Sequence, residues 1–403
     1  MTWLRFLLGN FRWLSAGILL TFLSSFGQTF FISIFAGEIR TAFDLSHGAW
    51  GGIYTLGTGV SALAMVWAGS LTDHFRTRAL GGIVLSLLAG ACLFMALNPV
   101  AALLPVVIFA LRFGGQGMTS HLAVVSMSRW FVATRGKALS IAGMGFALGE
   151  AILPVSFVSL MLIVDWRWLW VAAAVVCIGA IPVLIALLMQ ERTPQSHAET
   201  DHALGMSGRH WTRGEMLRHP LFWFMVPALL GPAAFNTAFF FQQVHFAEVK
   251  GWSHLELVAL FPLYTACAFG AMMVAGGLLD KLGTGRIIPW IQLPMVAGFI
   301  VFAQAQSLFS AAIGLVLLAL AAGANQTVPN AFWAEFYGTR NLGSIKALAA
   351  AVMVLGSAIG PGITGALIDF GIGIETQYIG VAGYFILTTT LMAIGVGRAR
   401  QQL

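Results

Sequence analysis

The sequence predicts an all-α integral membrane protein with twelve transmembrane helices in two pseudo-symmetric six-helix bundles. Three observations carry that prediction. Of 403 residues, 59% are hydrophobic and only 9% are charged, against ~25% charged residues in an ordinary soluble domain. Apolar runs of about 20 residues, enough to cross a ~30 Å hydrocarbon core at 1.5 Å per residue, recur along the chain. The chain also resembles itself at a constant offset of 207 residues: Gly69, Leu71 and Asp73 recur as Gly276, Leu278 and Asp280, Gly136 as Gly343, Gly149 as Gly356, and Pro154 as Pro361.

The apolar runs place spans at 14–36, 48–70, 79–98, 102–127, 138–163, 166–189, 222–246, 254–278, 287–306, 309–333, 344–368 and 376–397. An even number puts both termini on one side. The first run lacks a small-residue cleavage site and is expected to stay as a helix. Trp13, Trp50, Trp130, Trp166, Trp223, Trp252 and Trp290 fall near span ends, where amphipathic rings settle at headgroup level. Of the 21 Lys and Arg, 17 lie on the side of the termini, Arg40, Arg167 and Lys250 on the other, and Arg112 within a span. The positive-inside rule then puts both termini in the cytoplasm. The duplication divides the chain into bundles at 1–190 and 221–403, joined by a cytoplasmic linker at 191–220. Within that linker WTRGEMLRHP reads equally as a short surface helix or as an unstructured tether.

Composition also excludes function classes. The net charge of +6 is scattered over short loops, so no nucleic-acid footprint is expected. Cys92, Cys177 and Cys267 all lie inside spans, which suggests neither a disulfide framework nor a thiolate metal cluster. No HExxH, CxxC or Walker loop appears, and His74, His121 and His245 are dispersed. The chain is therefore expected to be no enzyme and to carry no cofactor or resident metal. Met272 and Met273 with His245 would fit a copper path, but sixteen Met in such a chain read first as packing residues.

Scarce charge concentrates in two turns, GSLTDHFRTR at 69–78 and GGLLDKLGTGR at 276–286. Gly69 and Gly276 are expected to let helices approach closely. Asp73 and Asp280 can accept hydrogen bonds at a neighbouring helix N-terminus, worth ~0.3–1 kcal/mol exposed and up to ~2 kcal/mol partly buried. With Arg76, Arg78, Lys281 and Arg286 they read as gating residues at a moving seam. The alternative is ordinary loop anchoring and control of topology by charge.

Charge inside a span is rarer still. Arg112 lies near the middle of the fourth span, where a charge costs at least ~2.5 kcal/mol on insertion scales and so should face a polar path or a partner. Gln116, Thr119 and Ser120 follow it at helical spacing. Glu150 lies at similar depth in the fifth span, among Gly143, Gly145, Gly149 and Pro154, which allow close packing and bending. The two charges can meet there. A carboxylate cargo competing for Arg112 would release Glu150 to take a proton; a permanent structural ion pair is the alternative. Gln28, Tyr264 and Asn325, deep in their spans, are candidate substrate contacts, together with Tyr54, Asn236, Gln326 and Asn330; helix-to-helix hydrogen bonds are the alternative role for each. The C-terminal half has no acid or base near its midplane.

The two turns resemble the loop signature of the major facilitator superfamily. Gly276, Asp280, Lys281, Gly283 and Arg286 follow it well, whereas His74 and Arg76 replace a basic residue and a glycine in the first copy. RWFVATRGKALSIAGMGFALG at 129–149 and WAEFYGTRNLGSIKALAAAVMVLGSAIGPGITGALID at 333–369 resemble helices of the bacterial monocarboxylate and oxalate/formate carrier group. That resemblance implies a secondary active transporter using alternating access in a bacterial cytoplasmic (inner) membrane. It also implies a small organic anion such as a monocarboxylate as cargo, moved with protons in symport or by exchange; membrane lipids are the further partner expected, and the chain is expected to be a monomer. Arg112 is implied as substrate-binding or proton-coupling, and Asp73 and Asp280 as stabilising one open state. Efflux of hydrophobic or cationic compounds, and a membrane sensor or assembly factor without turnover, are the alternatives.

Overall fold

Lipid offers no hydrogen bonds to a peptide backbone, so apolar runs of this length must satisfy their own as helices. The computed structural model describes residues 3–131, 134–190, 204–338 and 340–402, without the side chains of Trp3, Leu4, Arg5, Asp73, Arg135, Asp280 and Gln402. Among the described residues there are helices and connections and no strand. Eleven helices are long and apolar enough to span a bilayer, from His47–Ala68 to Ile374–Ala399. A bent pair, Phe11–Gly27 with Thr29–Phe43, makes a twelfth span with a 48° break.

The internal repeat extends to helix boundaries. Thr77–Leu97 and Thr284–Gln304 are each 21 residues long, and Ala101–Trp130 and Leu308–Tyr337 are each 30; both pairs start 207 residues apart. Pro154 and Pro361 occupy equivalent places inside Arg135–Met161 and Leu342–Asp369. The chain forms two compact units, Met1–Leu45 with Gly52–Thr200, and Ser46–Gly51 with Asp201–Leu403.

In the first unit, small residues set how closely the first and fifth spans cross. A Cβ at Gly145 would meet the Ile18 carbonyl oxygen at 2.0 Å, and one at Gly149 would meet Ser25 Oγ at 2.1 Å. The Thr21 hydroxyl donates across the same crossing to the Ala142 carbonyl. Gly143 plays no such part, because a Cβ there would meet nothing within 4 Å. Above this seam Phe31 packs edge-on against Phe26, Phe157 and Trp170, and such pairs add ~0.5–1.5 kcal/mol each beyond the area they bury.

In the second unit, the described part of the expected linker belongs to the core. Met206, Trp211 and Met216 are buried with Phe222, Phe336 and Tyr337. The Trp211 amide donates to the Tyr337 carbonyl at 3.0 Å. WTRGEMLRHP therefore forms a docked helix, Arg213–Arg218, and not a tether. Thr212 and Glu215 close a capping box at its start, which satisfies two amides that would otherwise lack acceptors. Hydrogen bonds from the Thr212 backbone and hydroxyl, with the Arg209 guanidinium nearby, hold the Glu215 carboxyl below the usual carboxylate range. Residues 191–203 lie outside the described residues.

The two charged turns differ in a way that their second glycine decides. Gly283 caps Phe261–Leu282 at φ 74°, ψ 161°, where a Cβ is strained. Its counterpart Arg76 adopts φ −66°, ψ 141°, which any residue reaches. The replacement of glycine in the first copy thus reflects a different turn.

Candidate functional site

The first span breaks at a glycine and a glutamine. The helix Phe11–Leu23 tightens into a 3-10 turn at Ser24–Gly27, Gln28 is extended at ψ 155°, and the chain re-enters a helix at Thr29. The Phe31 amide donates to Gln28 rather than to Gly27, which leaves the Gly27 carbonyl outside the helical ladder. Such a carbonyl, away from water, needs another donor.

The fourth span supplies it. Gly27 and Gly115 cross so closely that a Cβ on Gly115 would stand 2.6 Å from the Gly27 Cα, and one on Gly27 would stand 2.1 Å from the Leu111 carbonyl oxygen. Arg112–Thr119 is π-helical, a rare widening that recurs at functional sites. The Thr119 hydroxyl bridges back to the Gly114 carbonyl at 2.6 Å. Arg112 Nη1 donates to the freed Gly27 carbonyl at 3.1 Å and, at 3.4 Å, to Thr29 Oγ1. Thr29 in turn shares a 2.5 Å hydrogen bond with the Tyr54 hydroxyl, and the Arg112 guanidinium lies 5.4 Å from the Tyr54 ring centre.

Arg112 is 1% exposed, and among the described residues no carboxylate lies within ion-pair distance of it. Its Nε is buried without an acceptor. A full positive charge is thus held by neutral oxygens and a ring, with one donor unused.

Of the expected contacts, Tyr54 and Gln28 sit at this break, and Gln116 is half-buried in the π-helical segment. Thr119 does not continue a polar stripe, because its hydroxyl is engaged by Gly114. Glu150 is half-buried beside Gly149 on Arg135–Met161. Among the described residues no ion pair joins Arg112 to Glu150. Arg112 instead turns to the carbonyl that the helix break releases. The break and the π-helical segment were missed from sequence; the FGQT step at Phe26–Thr29 inside an apolar run was their one visible signal.

The second unit holds a separate cavity of about 370 Å³, within the ~300–1,000 Å³ usual for small-molecule sites. Asn325 and Gln326 line it as expected, with Asn236, Asn330, Trp333 and Lys346. Asn325 and Asn330 each donate one amide hydrogen to a carbonyl a turn earlier, which fixes their orientation. Asn236 donates to the Tyr264 hydroxyl at 3.4 Å, while its own Oδ1 is buried without a donor. Tyr264 does not line the cavity. It is buried, edge-on to Phe240, and acts through Asn236. Lys346 reads from sequence as a loop charge, but it sits in the first turns of Leu342–Asp369 and faces the amides.

The gating set divides. A Cβ at Gly69 would meet the Met65 carbonyl oxygen at 3.0 Å and His121 Nε2 at 3.5 Å, whereas one at Gly276 would meet nothing. Close helix approach at Gly276 is therefore not found. Arg129, from the fourth span, donates to the Thr72 carbonyl and ties down the first turn. Glu335, a residue with no sequence signal, accepts from the Thr284 amide at 3.0 Å and hydroxyl at 2.7 Å and ties down the second. Arg76, Arg78, Lys281 and Arg286 are exposed, and the side chains of Asp73 and Asp280 lie outside the description.

Among the described residues no group of three His, Cys, Asp or Glu side chains comes together. No curated protein matches the sequence. Solved structures do match in fold. A bacterial homologue of the human lysosomal transporter Spinster, inward-facing and occupied, superposes with TM-score 0.70 at 17% identity, over 97% of this chain and 96% of that one. Its inward-facing, unoccupied form gives 0.67 at 18% identity with the same coverage. The nucleoside transporter NupG, in a mutant form, gives 0.70 at 13% identity over 95% and 99%. The model of the Major Facilitator Superfamily matches residues 17–361. An all-α fold with up to twelve apolar spans, an internal duplication and a match over most of the sequence have one reading: this chain belongs to the Major Facilitator Superfamily.

Proposed function

We propose that this protein is a secondary active transporter of small organic anions, monocarboxylates first among them, working by alternating access. The observation that carries the reading is Arg112: a buried guanidinium with neutral partners and an unused donor, placed where a span breaks. Discontinuous helices are where transporters of this kind bind ligands and ions. A carboxylate reaching Arg112 would replace the long contact to Thr29 with a charge-assisted pair. An uncompensated buried cation opposes a cationic cargo by the same argument. The cavity of the second unit, lined by Asn236, Asn325, Gln326, Asn330 and Lys346, holds amide donors and acceptors and a cation of its own.

Glu150, the carboxylate within the fifth span of the first unit, is the proposed proton carrier, and uptake of its proton together with the cargo anion would be a symport. Without a direct pair to Arg112, its coupling to the cargo runs through the Gly149–Ser25 crossing and the first span. The protein would act as a monomer in a bacterial cytoplasmic membrane, both termini inside, and the resemblance to monocarboxylate carriers supports that setting.

The test is a thermal-shift screen of purified protein with monocarboxylates and their uncharged amides, followed by flux of each stabilising compound in proteoliposomes. Acids that stabilise and move while their amides do neither are expected. Equal stabilisation by acid and amide would remove Arg112 from substrate recognition.

A further inference from the structure

A groove of about 750 Å³ runs along the outside of the first unit between Thr77–Leu97 and Trp166–Leu187. These helices are antiparallel and closest where Gly81 meets Leu184, since a Cβ on Gly81 would lie 2.6 Å from Leu184 Cδ2. At the next residue, about 100° round the helix, Gly82 has no side chain, and a Cβ there would meet only Ile181 Cγ2, at 3.9 Å. The missing side chain forms the floor. Ile83, Leu87, Ile181 and Ile185 form the walls, and Arg78 stands at one end.

That end is set at headgroup level by two observations. Arg78 lies in the second residue of its helix, after the exposed Arg76, on the side that the positive-inside asymmetry assigns to the cytoplasm. The facing helix ends beside it, and the Gln190 carbonyl there accepts from the Trp13 indole at 2.9 Å, an aromatic at the depth where such rings settle. From Arg78 to Leu87 the helix rises ~13.5 Å at 1.5 Å per residue, close to half of a ~30 Å hydrocarbon core. The groove thus has the length of one leaflet, an apolar wall below and positive charge above.

We propose that this groove holds one anionic glycerophospholipid of the cytoplasmic leaflet, its phosphate against Arg78 and one acyl chain over Gly82 between Ile83, Leu87, Ile181 and Ile185. Charge selects the occupant: a zwitterionic lipid brings a cation toward the Arg78 guanidinium, whereas phosphatidylglycerol does not. An apolar helix of a second copy would fill the walls but bring no negative charge to the Arg78 end. The site is independent of the cargo reading, and either can fail alone.

The experiment is native mass spectrometry of the purified full chain in detergent with equal dioleoyl-phosphatidylglycerol and dioleoyl-phosphatidylcholine. One phosphatidylglycerol per chain is expected, favoured about fivefold, the factor that one basic residue contributes beside an anionic lipid surface. Arg78→Gln should abolish the preference. Gly82→Phe should abolish retention while keeping the charge, since its ring fills the floor. Equal retention of both lipids by the wild type, which needs no variant, overturns the proposal. So does retention by Gly82→Phe at the wild-type level, stabilisation by inorganic phosphate equal to that by the lipid, or a dimer that excludes lipid.

Discussion

Arg112→Met should separate folding from anion recognition. The substitution keeps an unbranched side chain of similar reach and removes the charge. Three stabilising contacts go with it. The 3.1 Å hydrogen bond to Gly27 is charge-assisted and worth ~1.5–3 kcal/mol, and that to Thr29, at 3.4 Å, falls well below this range. The approach to the Tyr54 ring adds ~0.5–1 kcal/mol. Against this, the variant escapes the cost of a buried charge, at least ~2.5 kcal/mol at a span centre. The opposing terms cancel within ~1–2 kcal/mol, so detergent melting should move by only a few degrees. Anion binding has no such compensation. Losing one partner of a buried charge pair costs ~2–5 kcal/mol, which at 1.4 kcal/mol per tenfold is ~30- to ~4,000-fold in affinity. Isothermal titration with the best monocarboxylate from the screen reads this directly, and Arg112→Lys should fall between, keeping charge but losing the fork. A folded Arg112→Met protein that binds the acid like the wild type would refute the argument.

Glu150→Gln should keep monocarboxylate exchange within about twofold, an uncharged change at constant shape, and lose the response to an imposed proton gradient in proteoliposome flux; an unchanged response would remove its assigned role. Gly115→Ala puts a methyl 2.6 Å from the Gly27 Cα and should cost ~1–3 kcal/mol as overpacking, read as a lowered melting temperature together with weakened anion binding. His219 accepts the Leu221 amide at 3.3 Å, and burial, with Arg209 adding to it, lowers its pKa. A depressed imidazole contributes its stability above the ordinary value of ~6.5 and loses it as pH falls through the folded value. Amide exchange at the start of Pro220–Phe241 should therefore rise on acidification, and His219→Asn, which caps without titrating, should flatten that profile.

The spans and the duplication are legible because they rest on additive local properties. Twenty apolar residues must be helical in lipid, and a register of 207 residues survives in glycine and proline positions that the backbone needs. The site is legible only in part. Arg112, Tyr54, Asn325 and Gln326 announce themselves as polar groups at membrane depth. Lys346 does not, because hydropathy cannot distinguish a loop charge from one turned into a cavity by the first turns of a helix. The partners of Arg112 are not legible, for a physical reason. Sequence depth puts two charges at one level, but which face each helix turns inward depends on the π-helical widening and on the carbonyl freed at Gly27, and neither has a periodicity to read. The Gly276 expectation fails likewise, since a motif glycine can mark a position without marking a contact.

The duplication provides an internal control for the link between backbone break and charge. At the repeat offset Gly27, Arg112 and Gly115 become Ala234, Ala319 and Ala322. The helix there, Leu308–Tyr337, runs 30 residues without a π-helical segment. Charge, glycine crossing and widened helix are present together in one half and absent together in the other. The economical account is that the break exists to solvate the guanidinium. Ala319→Arg should then be far worse tolerated than the wild-type arginine at its repeat-equivalent site, because Ala319 is 0% exposed and Ala234, the counterpart of Gly27, lies inside the helix Pro220–Phe241 and not at an extended break. Ala319→Met supplies the size control, with overpacking alone at ~1–3 kcal/mol. The arginine should exceed that by at least the ~2.5 kcal/mol of an unsatisfied intramembrane charge, seen as loss of monodisperse protein or a much lower melting temperature. If the two variants melt alike, any position in this fold can shelter a guanidinium, and the freed carbonyl at Gly27 is incidental to Arg112.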